Sequence, residues 1–291
     1  MTQTMRVAIL TSVDTRHRYF ANALRAECHV VAIGYEETGY HPAQVNDSDL
    51  TPDERALVAA HYRERELQEQ RYFGHDAGFV ADGPACRVRR LPPGTLNAHD
   101  TLGWLESAAP DAVVVYGTNL IKLPLLGRWP GRMVNMHLGL SPYYRGTATN
   151  FYPLVNGEPH KVGVTIHLID AGIDSGPIFA HVRPEIVAGD RPHTIGCKTI
   201  LAGIEGMVRV LELISANAIT ATPQWSEPTS RLYLRKDYHP RQVVELYHKL
   251  DAGLIANYLP QAKTLTAQTR LIEIPRRPRE SATRTHTTAV S

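Results

Sequence analysis

The chain reads as an α/β protein built on a mostly parallel sheet. Short apolar runs rich in β-branched residues alternate with helical patterns along its length, which is the signature of repeated βα units. One run, Ala112-Val113-Val114-Val115-Tyr116, is apolar on both faces, as a central strand covered by helices must be. Strands are expected over 6–10, 30–34, 112–116, 133–137, 162–169 and 177–182 from β-branched content bounded by turn residues. Helices are expected over 18–26, 52–72, 99–107, 149–155 and 193–216. The segment 52–72 carries Glu64, Arg65, Glu66, Glu69 and Arg71, a charged outer face with opposite signs at helical spacing. Beyond Ala216 the pattern shortens into strands and one more helical stretch over 240–258, stopped by Pro260. The expected layout is a main domain over 1–216, a small C-terminal lobe over 217–275 and a tail over 276–291.

At 291 residues, with 43% hydrophobic and 21% charged residues, the chain can bury a sizeable core. The net charge of +2 is uneven. The tail holds Arg276, Arg277, Arg279, Arg284 and His286 against Glu280, and its near lack of apolar residues predicts disorder. The remainder is close to neutral, which argues against an extended nucleic-acid surface. Cys28, Cys86 and Cys197 are odd in number and widely spaced, so reduced thiols in a cytoplasm are expected. The first apolar run, Val7 to Leu10, is too short for a signal peptide or a membrane span. His160, His167 and His193 form no metal-ligand spacing with nearby residues, and no metal is expected.

The turn after the first strand, Thr11-Ser12-Val13-Asp14-Thr15-Arg16-His17, contains no glycine. Both the dinucleotide fingerprint and the phosphate loop need glycines for close backbone approach, so neither NAD nor ATP fits. Ser12, Asp14 and Arg16 still occupy the place where open α/β sheets bind ligands, beyond a strand's C-terminal end, and are read as acceptor contacts. Helix capping by Asp14 or Thr15 competes with that reading.

The densest chemistry lies further on. Asn135 and His137 sit two apart and project from one face of an extended strand; Asp174 arrives from a later loop, 37 residues after the histidine. An amide donor, a titratable base and a carboxylate are what acyl transfer to an amine requires. Asn135 would donate to the developing oxyanion, His137 would move the amine's proton, and Asp174 would orient the ring.

These residues, with Pro142, Tyr144, Arg145, Gly146, Gly176 and Pro177, resemble the 10-formyltetrahydrofolate-dependent formyltransferases, whose hallmark is N-x-H, a Y-R-G-like turn and a later L-D-x-G-P loop. The resemblance implies a Rossmann-like, mostly parallel sheet with a small C-terminal lobe. It implies 10-formyltetrahydrofolate as co-substrate, held near Tyr116, Gly117, Asn119, Leu120, Ile121, Asp170, Gly172 and Ile173, with Gly117 permitting close approach of the ring. Tyr144 and Arg145 are placed at the acceptor side, Arg145 mainly as a brace. One departure stands out: Gly139 occupies the place where the family usually has a serine, and Ser141 offers a hydroxyl from another angle.

Within the family, tRNA-directed members add a barrel and a basic surface, and phosphoribosyl-directed members hold phosphate on a glycine-containing first turn. Neither pattern is seen here. The expected acceptor is therefore a small-molecule amine, such as an amino sugar nucleotide or an N-hydroxyornithine, with no nucleic acid or membrane partner and a homodimer open. A formyltetrahydrofolate hydrolase and a non-catalytic folate-binding protein are the alternative readings.

Overall fold

β1 (Val7–Ser12) turns alternate side chains to two layers of helices, so every one of its residues is buried. Val7 and Ile9 join a core with Phe20, Ala21 and Leu24 of α1 (Thr15–Glu27) and with Ile200, Ile204 and Met207 of α6 (Pro192–Ser215). Ala8 and Leu10 join the opposite core with Leu105 of α3 (His99–Ser107) and Leu125 of α4 (Leu125–Arg128). The computed structural model describes residues 4–37 and 49–275. The tail expected over 276–291 lies outside the described residues.

The main sheet runs in the order β3-β2-β1-β4-β5-β7-β8. Its members are β2 (Val30–Glu36), β3 (Arg87–Leu91), β4 (Ala112–Tyr116), β5 (Met133–His137), β7 (Val164–Leu168) and β8 (Ile178–Val182). The pairs from β3 to β5 are parallel, and β7 runs antiparallel to both its neighbours. A second, two-stranded sheet pairs β6 (Tyr144–Gly146) with β9 (Arg231–Tyr233). Because β1 has β2 on one side and β4 on the other, the direction of winding reverses there, and a crevice opens beyond the carboxyl ends of β1, β4 and β5.

α2 (Pro52–Phe73) starts where the sequence places it, since Thr51 and Glu54 cap each other's backbone N–H and Pro52 takes the first position. The helix expected over 240–258 is two, α7 (Arg241–Asp251) and α8 (Leu254–Tyr258), split at Gly253, whose φ is +88°. β3 escaped sequence reading because Arg87, Arg89 and Arg90 break the apolar pattern; as an edge strand it can carry those charges toward water. Residues 217–275 pack along the main body: β9 pairs with β6, α7 contacts α2 and α5 (Tyr152–Val155), and α9 (Ala262–Gln268) follows α8.

Candidate active site

β5 ends at the crevice and places Asn135 and His137 on the same face, while the antiparallel register of β7 sets His167 opposite Asn135 and Thr165 opposite His137. Asp174 reaches this pair from the loop between β7 and β8. Its φ is +47°, a left-handed conformation unusual for a residue with a side chain and typical of strained functional positions. Gln224 of the C-terminal segment fixes that turn by donating to the carbonyls of Asp174 and Gly176, at 2.8 and 3.0 Å.

The structure thus brings Asn135, His137 and Asp174 together, with His167 as a fourth member. Asp174 Oδ2 accepts the Gly146 backbone N–H at 2.9 Å and lies 3.3 Å from His137 Nδ1. Its Oδ1 lies 3.4 Å from Asn135 Nδ2 and 3.5 Å from His167 Nε2. His167 faces the Leu168 carbonyl with Nδ1 at 2.8 Å, so Nδ1 carries a proton, and its Nε2 lies 3.2 Å from Asn135 Nδ2. The Asn135 amide nitrogen therefore faces protein on two sides, His167 Nε2 and Asp174 Oδ1.

Burial pushes the His137 ring below its ordinary pKa, and the charge of Asp174 opposes this without reversing it. For Asp174, burial would raise the carboxyl; His137, His167 and the Gly146 N–H outweigh it and hold the group below the usual carboxylate range. Near neutral pH the pair is a neutral imidazole beside a carboxylate. His137 Nε2 faces the Tyr144 carbonyl at 3.1 Å. In either neutral tautomer one ring nitrogen turns its lone pair toward an acceptor, so proton uptake relieves a repulsion on one side or the other.

Gly139 fits this packing for a steric reason. A Cβ there would lie 2.5 Å from His137 Nε2 and 2.6 Å from Thr149 Cβ. Thr149 is β-branched and its hydroxyl donates to the Leu138 carbonyl, so it cannot turn aside cheaply. Thr149 fills the place beside the imidazole. The hydroxyl of Ser141 is buried with no hydrogen-bond partner among the described residues. Restoring a serine through Gly139→Ser should therefore lower stability by about 1–3 kcal/mol and slow turnover. Denaturant melts and steady-state rates check this, and a variant as stable and active as the parent would contradict it.

Several expected ligand contacts are placed differently. Tyr144 is fully buried, its hydroxyl tied to Glu158, Asn156 and Arg231, so the side chain is structural and its backbone carbonyl is what serves the site. Ser12 and Tyr116 are likewise buried, Tyr116 against His17 and Phe20. Gly117 has φ of +70°, but the close approach expected of a ligand ring is made by His17, whose Nε2 would lie 2.2 Å from a Cβ. Ile121 is buried in the core with Leu125 and Trp129.

Arg16 is engaged by Glu69 at 2.6 Å, with Asp14 at 3.6 Å. Asp14 stands at the N-cap of α1 without a side-chain cap bond and keeps a half-exposed carboxylate. Arg145 is half-buried beside the site, its Nε without a hydrogen-bond partner among the described residues. In the segment after β4, Leu120 and Leu123 are exposed at 55% and 75%. Asp170 braces its own loop by accepting from the Gly172 N–H and the Ser175 hydroxyl, and Ile173 stays half-buried.

Strand alternation puts His167 on the same face as Thr165, but only the β5–β7 register shows that this face meets Asn135 and His137. Gln224 left no sequence signal, because a long loop delivers it. Cavities lined by Arg6, His29 and Arg87 and by Asn22 and Phe79 involve none of these catalytic candidates, the first lying at the amino ends of β1 to β3. Among the described residues no group of three or more His, Cys, Asp or Glu is placed to hold a metal ion. Nor is any described helix long and apolar enough to cross a membrane.

Comparison with known proteins gives a consistent result. The profile of the formyl transferase family matches residues 55–211, more than half of the chain. A methionyl-tRNA formyltransferase from Kosmotoga olearia is 37% identical over 134 residues, 45% of this chain and 42% of that protein. The one from Thermodesulfovibrio yellowstonii is 30% identical over 158 residues, 52% of this chain and 49% of its own length. The chain spans about half the length of the curated relatives it matches. Among solved structures, a phosphoribosylglycinamide formyltransferase from Anaplasma phagocytophilum superposes with a TM-score of 0.53 at 14% identity, covering 80% of this chain and all of that one. A sugar N-formyltransferase from Shewanella gives 0.52 at 15% identity, with 80% and 78% covered. At such identities the likeness concerns the fold. Sequence and fold together place the chain in the formyl transferase family.

Proposed function

We propose that this protein transfers a formyl group from 10-formyltetrahydrofolate to the amine of a small molecule. The observation that carries the reading is the convergence of Asn135, His137 and Asp174, with His167 behind them, at the carboxyl end of β5. The exposed Leu120 and Leu123 beside the backbone of 117–122 suit an apolar ring with a polar edge, and the loop 170–174 would close its other side. When bound, the donor supplies a formyl carbon open to attack by an amine.

The protein's own groups then do three things. Asn135 donates to the carbonyl oxygen as negative charge gathers there; the bond it gives up is the longer one, 3.4 Å to Asp174. His137, neutral beforehand, takes up the amine's proton, satisfies both acceptors around it while charged, Asp174 and the Tyr144 carbonyl, and gives a proton back to the donor nitrogen as the formyl carbon–nitrogen bond to tetrahydrofolate breaks. Asp174, fixed by Gly146 and by the Gln224-braced turn, stays ionised and stabilises the charged ring.

Because the His137 pKa lies below its ordinary 6.5, the ring stays neutral as pH falls from 8 to 6.5 and charges only at lower pH. The expected kcat/KM is flat through neutrality, with its acid limb below about 6.5. A limb centred above 7 would contradict a neutral His137.

A small-molecule acceptor is favoured by Asp14, whose half-exposed carboxylate beyond the end of β1 suits an ammonium group and would repel a phosphate backbone. Following tetrahydrofolate release from 10-formyltetrahydrofolate, with and without a panel of amino sugars and hydroxylated amines, tests the reading. Release that requires an amine supports it. Equal release without amine identifies a hydrolase, and no release with any of them removes the proposal.

A further inference from the structure

The loop that would face the donor is held by a buried carboxylate that contributes nothing to the catalytic cluster. Glu36, the last residue of β2, is only 1% exposed. Its Oε2 accepts the Asn119 backbone N–H at 2.7 Å and its Oε1 accepts Asn119 Nδ2 at 2.9 Å. A buried carboxylate needs donors on both oxygens, and here one residue supplies both, so the position of Asn119 is fixed relative to β2. Arg235, from the C-terminal segment, donates to Asn119 Oδ1 at 3.2 Å. Asn97 grips the next residues, donating to the Leu120 carbonyl at 2.9 Å and accepting the Lys122 N–H at 2.7 Å.

The consequence lies in what this holds out to solvent. An apolar side chain 55% exposed, such as Leu120, would normally fold back against the body, and Leu123 at 75% still more so. With residues 119, 120 and 122 bonded to three different parts of the fold, the two leucines are kept in the open.

We propose that Glu36 is a positioning residue for the donor site: through Asn119 it presents the 117–122 loop, with Leu120 and Leu123 exposed, to the ring of the formyl donor. The inference rests on the formyltransferase reading and adds that the Asn119 amide acts on the loop, not on the ligand. Both ends of that amide are already engaged, Nδ2 by Glu36 and Oδ1 by Arg235.

Swapping the pair tests this. In Glu36→Gln one oxygen becomes an amide donor facing another donor, which should weaken tetrahydrofolate binding about tenfold by titration calorimetry. Asn119→Asp alone sets two carboxylates against each other and should weaken it at least as much. In the double variant Glu36→Gln with Asn119→Asp, the new amide donates to the new carboxylate and its carbonyl accepts the backbone N–H, so affinity should return to within about threefold of wild type. Thermal melts of all four proteins separate loop positioning from loss of fold.

Wild-type affinity in Glu36→Gln, or a double variant no better than the worse single one, overturns the role of Glu36 while leaving the donor reading intact. Absence of tetrahydrofolate binding by the wild-type protein overturns the donor reading and this inference with it.

Discussion

Replacing His137 by Ala is expected to lower formyl transfer by about 10²–10⁴-fold with little loss of fold, because in the proposed mechanism the ring accepts the amine's proton. Ala leaves the Asp174 carboxylate with Gly146, Asn135 and His167 still beside it, so the cavity stays polar and paired. The companion substitution, Asp174→Asn, separates charge from geometry. Asparagine tolerates the left-handed backbone that Asp174 adopts at φ +47°, so the turn survives while the charge is lost. Its rate should fall by a similar order and the acid limb of kcat/KM should move to lower pH, since a neutral neighbour no longer favours the protonated ring. Steady-state rates across pH 5 to 9, with melting curves as control, check both. Variants within a factor of three of wild type would remove these residues from the mechanism.

The second large effect is expected at Gly146, where fold and site meet. Its φ is +93°, and a Cβ would lie 2.0 Å from the Tyr233 carbonyl oxygen. The clash is with backbone, across the β6–β9 pairing that anchors the C-terminal segment. Gly146→Ala should cost about 2–4 kcal/mol from the left-handed conformation and the overlap together. A drop in melting temperature of roughly 5–15 °C should accompany it. Because the Gly146 N–H also holds Asp174 at 2.9 Å, activity should fall further than stability explains, even well below the melting point. Unchanged melting would mean that β6 and β9 are not held as described.

The elements legible in the sequence are those whose pattern is local. β4, β5 and α3 begin and end where alternation and apolar content place them, because core strands and a short amphipathic helix carry their whole signal in five to nine residues. β3 was hidden by its arginines and the break between α7 and α8 by a single glycine, both features that gain meaning only from neighbours in space.

The site divides the same way. Asn135, His137 and Asp174 are legible as a motif. His167 depends on the β5–β7 register, Gln224 on a loop about fifty residues further along, and the exclusion of a side chain at Gly139 on Thr149. The family resemblance puts Tyr116 and Tyr144 beside the ligands, because their positions match its motif and its donor pocket. Their rings turn inward, where burial also pushes both phenols above their usual pKa. Ser12 is buried at a strand end in the same manner.

The most direct test follows an isotopic label in the formyl group of 10-formyltetrahydrofolate. Wild-type protein given the donor and an accepted amine should deliver the label to the amine nitrogen as a stable formamide. Asn135→Ala, His137→Ala and Asp174→Ala, each folded by circular dichroism, should deliver it at least about a hundredfold more slowly. Label that stays on the donor with every amine, or that reaches the product equally fast in the three variants, would contradict the assignment of formyl transfer to this cluster.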